Sequence, residues 1–348
     1  MNPRFTEGKK KGLKAVSDGR GVIAALAIDQ RSAMQKLFGQ ALGCEPDAVP
    51  RENIVQFKEA VSHGLTPHAS AILLDPEYGL TAAKLRSKKA GLLLAYEQTG
   101  YDKKVPGRMP RLLDRWTVNR LVSAGADCAK LLLYYSTMSS AEINDNKHAF
   151  VERVGAECAD ADVPFFLELV SYGEGMEDKG AEFAKIKPQV VTEGIAEFSK
   201  PQYRVDVLKV GVPVTLQFVE GSPGAGKEIV YKRTEAVRLY REAAENAKVP
   251  FIYLSEGVSN ETFLFALELA TEAGVRFSGV LCGRATWQDG VAAFVKGGMS
   301  GLEDWLGRDG VANIENVNRA LETAQPWFSD ADEKRGGKAG RSKGKGRP

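Results

Sequence analysis

Eight short, strongly apolar runs recur along the chain, each bounded by glycine, proline or an acidic residue. They are 22–29 (VIAALAID), 70–75 (SAILLD), 91–97 (GLLLAYE), 127–135 (DCAKLLLYY), 164–170 (PFFLELV), 205–212 (VDVLKVGV), 251–256 (FIYLSE) and 277–283 (FSGVLCG). Near-continuous apolar runs of this length predict strands buried on both faces, since a strand with one wet face would alternate. Between them, stretches 51–65, 111–124, 142–161, 181–199, 232–247, 260–274 and 288–299 place apolar residues three and four apart, the spacing of one helix face. Ser259 and Asn260 ahead of the 260–274 stretch, and Gly274 after it, are start and stop signals of the expected kind. The third connection, 76–90, is the least convincing helical unit, and a terminal helix is expected over 313–323. Strand and helix alternating through about eight strands predict a (β/α)8 TIM barrel.

Composition adds limits. With 43% hydrophobic and 26% charged residues in 348, the chain reads as an ordinary soluble globular protein. The only clear composition shift falls near residue 330, so the expected organisation is one barrel domain, 1–329, and a tail, 330–348. Residues 333–348 carry seven basic side chains and one acid, a charge of +6 against +2 for the whole chain, which leaves −4 on the body. Rich in Gly, Lys and Arg and almost free of apolar residues, the tail is expected to be disordered. A nucleic-acid arm is the sharper reading of such a segment. Without interleaved aromatic residues a solvated tail is preferred, and nucleic acid is not an expected partner. No apolar run approaches the roughly 18 residues of a membrane span. Lys9, Lys10 and Lys11 have no apolar segment behind them, so no secretory signal is read and a cytoplasmic location is expected. Cys44, Cys128, Cys158 and Cys282 lie far apart without a CxxC pair, which fits a reducing compartment and packing roles.

Within the sixth run, Lys209 places an amine where a buried strand is expected. A charge there costs several kcal/mol unless it is partnered. Burial also weakens a lysine's hold on its proton, and a neutral amine can attack a carbonyl to form an imine. A partnered structural charge is the competing explanation for any single lysine of this kind. In a barrel, chemistry gathers at the C-terminal strand ends, and the other ends here are not bland. They offer Asp29, Gln30 and Arg31 after the first run, Lys130 in the fourth, Glu168 in the fifth, Ser255, Glu256 and Gly257 after the seventh, and Cys282, Gly283 and Arg284 after the eighth. Glu168, one strand from Lys209, is a candidate acid/base, and Lys130 is expected to bring a second ammonium that further lowers the proton affinity of Lys209. Loops after strands seven and eight are a common phosphate site, and Ser255, Gly257, Gly283 and Arg284 fit that task. The expected substrate is therefore a small phosphorylated molecule.

Metal chemistry fits poorly: His63 and His68 flank the start of the second run, on the face opposite the site, and His148 lies in a helical stretch. No metal or other cofactor is expected. Gly221 to Glu228 matches GxxxxGK spacing but ends in Glu where a hydroxyl must meet magnesium, so a flexible loop, able to act as a lid, is the better reading. Trp116, Trp287 and Trp305 are expected to be packing residues.

These segments together resemble the class I tagatose-1,6-bisphosphate aldolases of lactose and galactitol catabolism. The resemblance rests on 27–31, 73–79, 91–97, 130–135, 164–168, 207–210 and 281–287, and spans about residues 10 to 325. It implies a Schiff-base aldolase on a TIM barrel, with Lys209 forming the imine, Glu168 as acid/base, and Lys130 and Asp29 as polar partners of the substrate. Ser255 and Arg284 match its phosphate ligands, with Gln30 nearby. Three departures stand out: Gly211 where an acidic residue is implied, a rebuilt 221–228 loop, and the basic tail. A relative acting on a sulfonated ketose phosphate would keep the same lysine chemistry. A non-catalytic sugar-phosphate sensor would need Ser255 and Arg284 but not Lys209, Lys130 and Glu168 together. Paired barrels are common, and a homo-oligomer is expected.

Overall fold

In the computed structural model, which describes residues 5–102 and 104–328, all eight apolar runs form strands. They are β1 (Ile23–Ala27), β2 (Ala71–Leu74), β3 (Gly91–Ala95), β4 (Cys128–Tyr135), β5 (Phe165–Ser171), β6 (Val207–Val210), β7 (Phe251–Tyr253) and β8 (Gly279–Cys282). Neighbours in sequence pair in parallel, and β8 returns to β1 to close the barrel. The expected (β/α)8 TIM barrel is the observed architecture.

Closure explains why both faces of each strand are apolar. Ala25, Leu73, Leu93, Phe166, Val207 and Ile252 pack inside the barrel, while Leu26, Ile72, Leu94, Leu131, Leu167 and Leu208 pack outward among the helices. Each large side chain so removed from water contributes about 1.5–3 kcal/mol. Because side chains alternate, the residue two positions beyond the last apolar inward one also points in. At Asp29, Glu97, Lys130, Glu168 and Lys209 that next position is charged. The ladder sets Leu132 opposite Glu168 and Glu168 opposite Lys209, so a polar layer rests on an apolar plug.

Helices Arg51–Leu65, Ala141–Asp160, Ala181–Phe198, Arg233–Glu245, Asn260–Glu272 and Gly290–Trp305 occupy the predicted stretches. Ser259 caps Asn260–Glu272 by accepting the Thr262 N–H at 3.2 Å, and Gly274 follows in the left-handed conformation (φ 68°). The terminal helix runs Val311–Ala320, and the weak third connection holds only Leu80–Leu85. The stretch predicted as a helix over 111–124 is helical only at Val118–Ser123. Its first part is instead held against the end of β3, where the Gln98 N–H donates to Arg111 O at 2.8 Å and the Leu113 N–H to Tyr96 O at 3.0 Å.

Among the described residues, helices Glu7–Ala15 and Ser32–Leu42 and the four-residue Arg284–Trp287 were not expected. The first closes the N-terminal end of the barrel, where Leu13 and Val16 join the interior cluster. There Lys9 pairs with Asp206 at 2.7 Å, both buried, and the Ser70 hydroxyl donates to Val16 O at 2.7 Å. Among the described residues no helix is long and apolar enough to cross a membrane. The expected tail lies outside the described residues.

Candidate active site

At the C-terminal end of the barrel the polar layer floors a cavity of about 500 Å³, whose lining includes Asp29, Gln30, Glu97, Glu168 and Arg284. Lys130, fully buried, is surrounded by carboxylates: its Nζ lies 2.8 Å from Asp29 Oδ2, 2.8 Å from Glu97 Oε1 and 2.7 Å from Glu168 Oε2. The same Glu168 Oε2 stands 2.8 Å from Lys209 Nζ. Glu168 thus bridges the two lysines, as adjacent strands in register allow. The second ammonium expected beside Lys209 is present, but it arrives already matched by opposite charge.

These groups set one another's protonation. Burial alone would raise Asp29, yet Lys130 and Lys209 outweigh it and hold its carboxyl well below the usual carboxylate range. Glu168 is also held low: burial and Asp29 push it up, and Lys130 with Lys209 pull it further down. Burial would loosen the proton of Lys130, but Asp29, Glu168 and Glu97 bind it far more firmly than in an ordinary lysine. The floor therefore keeps Asp29 and Glu168 ionised and Lys130 a fixed cation.

On the opposite wall Arg284 opens a four-residue helix, Arg284–Trp287, with Gly283 at its cap. Burial weakens the guanidinium's proton affinity, partly offset by Asp29 and Glu168. Gly257 has φ 75°, and a Cβ there would fall 2.3 Å from Arg284 Cζ, so the backbone after β7 presses directly on the guanidinium. Ser255 is buried near the Cys282 thiol, whose pKa burial pushes up to about 12 while the Ser255 hydroxyl lowers it. Gln30 reaches Asp29 Oδ1 through Nε2 at 3.3 Å, while its buried Oε1 meets no partner among the described residues. Asp29, Gln30, Lys130, Glu168, Lys209 and Arg284 therefore share one cavity or its floor, Gly257 and Gly283 adjoin Arg284, and Ser255 is buried outside the cavity lining.

Two groups, Glu97 and Lys187, were missed from the sequence, and Arg31 was named at a strand end but given no role. Glu97 holds Lys130 through Oε1 and accepts the Leu132 N–H at 3.0 Å through Oε2. It lies two residues beyond the inward Ala95, so strand alternation alone could have found it. Arg31, buried, donates to Glu97 O at 2.8 Å and to Glu77 at 2.6 Å. Lys187, from helix Ala181–Phe198, pairs with Glu256 at 2.7 Å on the cavity wall. The 221–228 loop brings Gly224 to the cavity, and no helix begins until Arg233, which removes the nucleotide-loop reading. Trp287 is a packing residue: it is fully buried, donates Nε1–H to Ala27 O at 2.9 Å and meets Phe57 edge-on. Of the cysteines, Cys128, Cys158 and Cys282 are buried, whereas Cys44 is exposed and does not pack in the core as expected.

The sequence pattern of DeoC/LacD family aldolases matches residues 23–289. A tagatose 1,6-diphosphate aldolase of Enterococcus faecalis is 52% identical over 327 residues, covering 93% of this chain and 97% of its own. The chain belongs to the DeoC/LacD aldolase family. A tagatose 1,6-diphosphate aldolase of Listeria monocytogenes is 46% identical, over 94% of this chain and 95% of its own. Among solved structures, a fructose-bisphosphate aldolase from Plasmodium falciparum superposes with a TM-score of 0.67 at 16% identity, covering 92% of this chain and 94% of its own. That likeness speaks for the barrel. As a DeoC/LacD family member, the chain is an aldolase, a carbon–carbon lyase.

Proposed function

We propose that the chain is a class I aldolase that reversibly cleaves D-tagatose 1,6-bisphosphate to dihydroxyacetone phosphate and D-glyceraldehyde 3-phosphate. The observation that carries this reading is the Lys209 amine 2.8 Å from Glu168 on the floor of the cavity, a nucleophile with an acid/base in hydrogen-bond reach. The choice of ketose is supported by the relatives named for tagatose 1,6-diphosphate. Lys209 attacks the C2 carbonyl and water leaves, giving a protonated imine. Glu168 takes the proton of the C4 hydroxyl, the C3–C4 electrons pass into the imine, and the aldehyde departs. The resulting enamine is protonated at C3, and water hydrolyses the imine to free dihydroxyacetone phosphate and Lys209. Asp29, Gln30 and Lys130 orient hydroxyl groups, and Ser255, Gly257, Gly283 and Arg284 form the phosphate corner.

Borohydride reduction with dihydroxyacetone phosphate in the presence of EDTA, followed by peptide mass mapping, tests the imine. A stable adduct on Lys209 is expected, and Lys209→Ala should abolish turnover with an unchanged circular-dichroism spectrum. Retained turnover in that variant overturns the mechanism, and no adduct on any lysine leaves the sugar-phosphate sensor as the better account. A homo-oligomer in the cytoplasm completes the proposal, supported by the prevalence of symmetric oligomers and by four cysteines that form no disulfide. Sedimentation of the purified chain at the monomer mass would remove the oligomer.

A further inference from the structure

The turn after β7 has an unusual sequence for its shape. The Val258 N–H donates to Ser255 O at 3.0 Å, and both central residues have positive φ, Glu256 at 49° and Gly257 at 75°. Such turns favour Gly, Asn or Asp at both central positions, because a larger side chain crowds the left-handed backbone. A glutamate persists there only if something outside the turn holds it. Both oxygens of Glu256 engage Lys187 Nζ, at 2.9 and 2.7 Å, and the same Nζ donates to Val214 O at 3.3 Å. One buried amine therefore ties helix Ala181–Phe198, the segment after β6 and the turn after β7. The carboxylate lies in space that a side chain at 211 would need, since a Cβ on Gly211 would fall 2.1 Å from Glu256 Oε1. Directly after Glu256, Gly257 presses its backbone on Arg284.

We propose that Lys187 and Glu256 are positioning residues: their ion pair clamps the 255–258 turn in its left-handed form and so fixes Gly257 and Arg284 for recognition of the donor's phosphate, with Gly211 as the space the clamp requires. The proposal rests on the aldolase reading above. Lys187 acts through Glu256, and Glu256 through the turn. A phosphate-bearing ligand should feel the loss of the clamp and a phosphate-free analogue should not.

The test compares dihydroxyacetone phosphate with dihydroxyacetone on the full chain. Lys187→Met and Glu256→Ala, which remove the ion pair without offering the turn a residue that favours positive φ, are expected to raise the KM for dihydroxyacetone phosphate by about tenfold. The KM for glyceraldehyde 3-phosphate and the rate at which borohydride traps dihydroxyacetone on Lys209 should stay as in the parent. Glu256→Gln, which keeps the side chain's size, should move in the same direction and serves if a stronger change fails to fold. Adding Gly211→Asp to Glu256→Ala returns a carboxylate near Lys187 that is not tethered to the turn, and this pair should not recover the KM. Recovery would reduce the effect to charge balance and overturn the clamp. Equal losses with both donors would make the role general support, and a loss confined to glyceraldehyde 3-phosphate would make Lys187 a direct ligand of the other phosphate; either overturns the clamp. Absence of any Lys209 adduct in the parent protein would fell the aldolase reading and the clamp together, whereas an adduct with unaffected variants would fell the clamp alone.

Discussion

Glu168 shows how much one residue's neighbours decide. In an otherwise apolar strand it would be expensive and protonated; between Lys130 and Lys209, at 2.7 and 2.8 Å, it is an ionised base aimed at the cavity. The same electrostatics fix a stability profile. Asp29 and Glu168 are held below the ordinary carboxylate range of about 4, so at acid pH the unfolded chain binds protons that the fold excludes. Their stabilisation is full above that ordinary range and is lost as pH falls through the depressed folded values. While both titrate, the slope is about 1.4 kcal/mol per pH unit for each. Urea unfolding between pH 6 and pH 2.5 should show the midpoint dropping below pH 4, with a shallower drop in Asp29→Asn; a midpoint indifferent to pH, or identical slopes, would contradict this account. At this scale the sequence was legible wherever a charge interrupts an apolar run, which is how Lys130, Glu168 and Lys209 stand out. Glu97 closes its run as an acid commonly does before a loop, and only its place two residues beyond the inward Ala95 distinguishes it from a bounding residue.

At the scale of elements, attachment to the barrel depends on a few buried polar contacts as well as on apolar faces. Helix Arg51–Leu65 reaches the end of β2 through Lys58 and Asp75, a pair without solvent exposure on either side. Asp75 also accepts the N–H groups of Glu77 and Tyr78 at 3.0 and 2.8 Å, which shapes the loop that carries Glu77 to Arg31. Asp75→Ala leaves a buried ammonium and two backbone donors unmatched, and breaking such a pair from one side costs about 3–5 kcal/mol. Denaturant melts should register that loss, and Lys58→Met combined with Asp75→Leu should recover part of it; a neutral Asp75→Ala would show that the pair is not holding the loop. The strands were legible because burial on both faces leaves a mark in any window of six or so residues. Segment 111–117 was misjudged because its helical spacing competes with backbone pairing to residues 96–98, a partner distant in sequence that periodicity cannot reveal. Helix Ser32–Leu42 buries only Met34, Phe38 and Gly39, too thin a stripe to mark it among the stronger patterns.

Across the whole molecule, the two ends of the barrel divide the work. The C-terminal end carries the cavity and the charged floor, and the N-terminal end is closed by packing with a few polar contacts: Phe5 meets Trp327 edge-on at 5.4 Å, Trp327 meets Phe328 at 5.0 Å, the Trp327 backbone N–H donates to Gly21 O at 3.1 Å, and Lys9 pairs with Asp206. Between them lies the apolar interior, which includes Leu73, Leu93, Phe166 and Ile252 and shares no charged group with the floor. A close-packed layer of this kind passes on a change of volume only where side chains must move to fill it. Trp327→Ala should therefore cost about 3–5 kcal/mol, as removal of a buried large aromatic does. Its melting temperature should fall while kcat and KM at 25 °C stay as in the parent. A matching fall in kcat per folded molecule would mean that the interior transmits strain from one end to the other, and that the floor on which Lys209 and Glu168 meet is held in place from below as well as by its own charges.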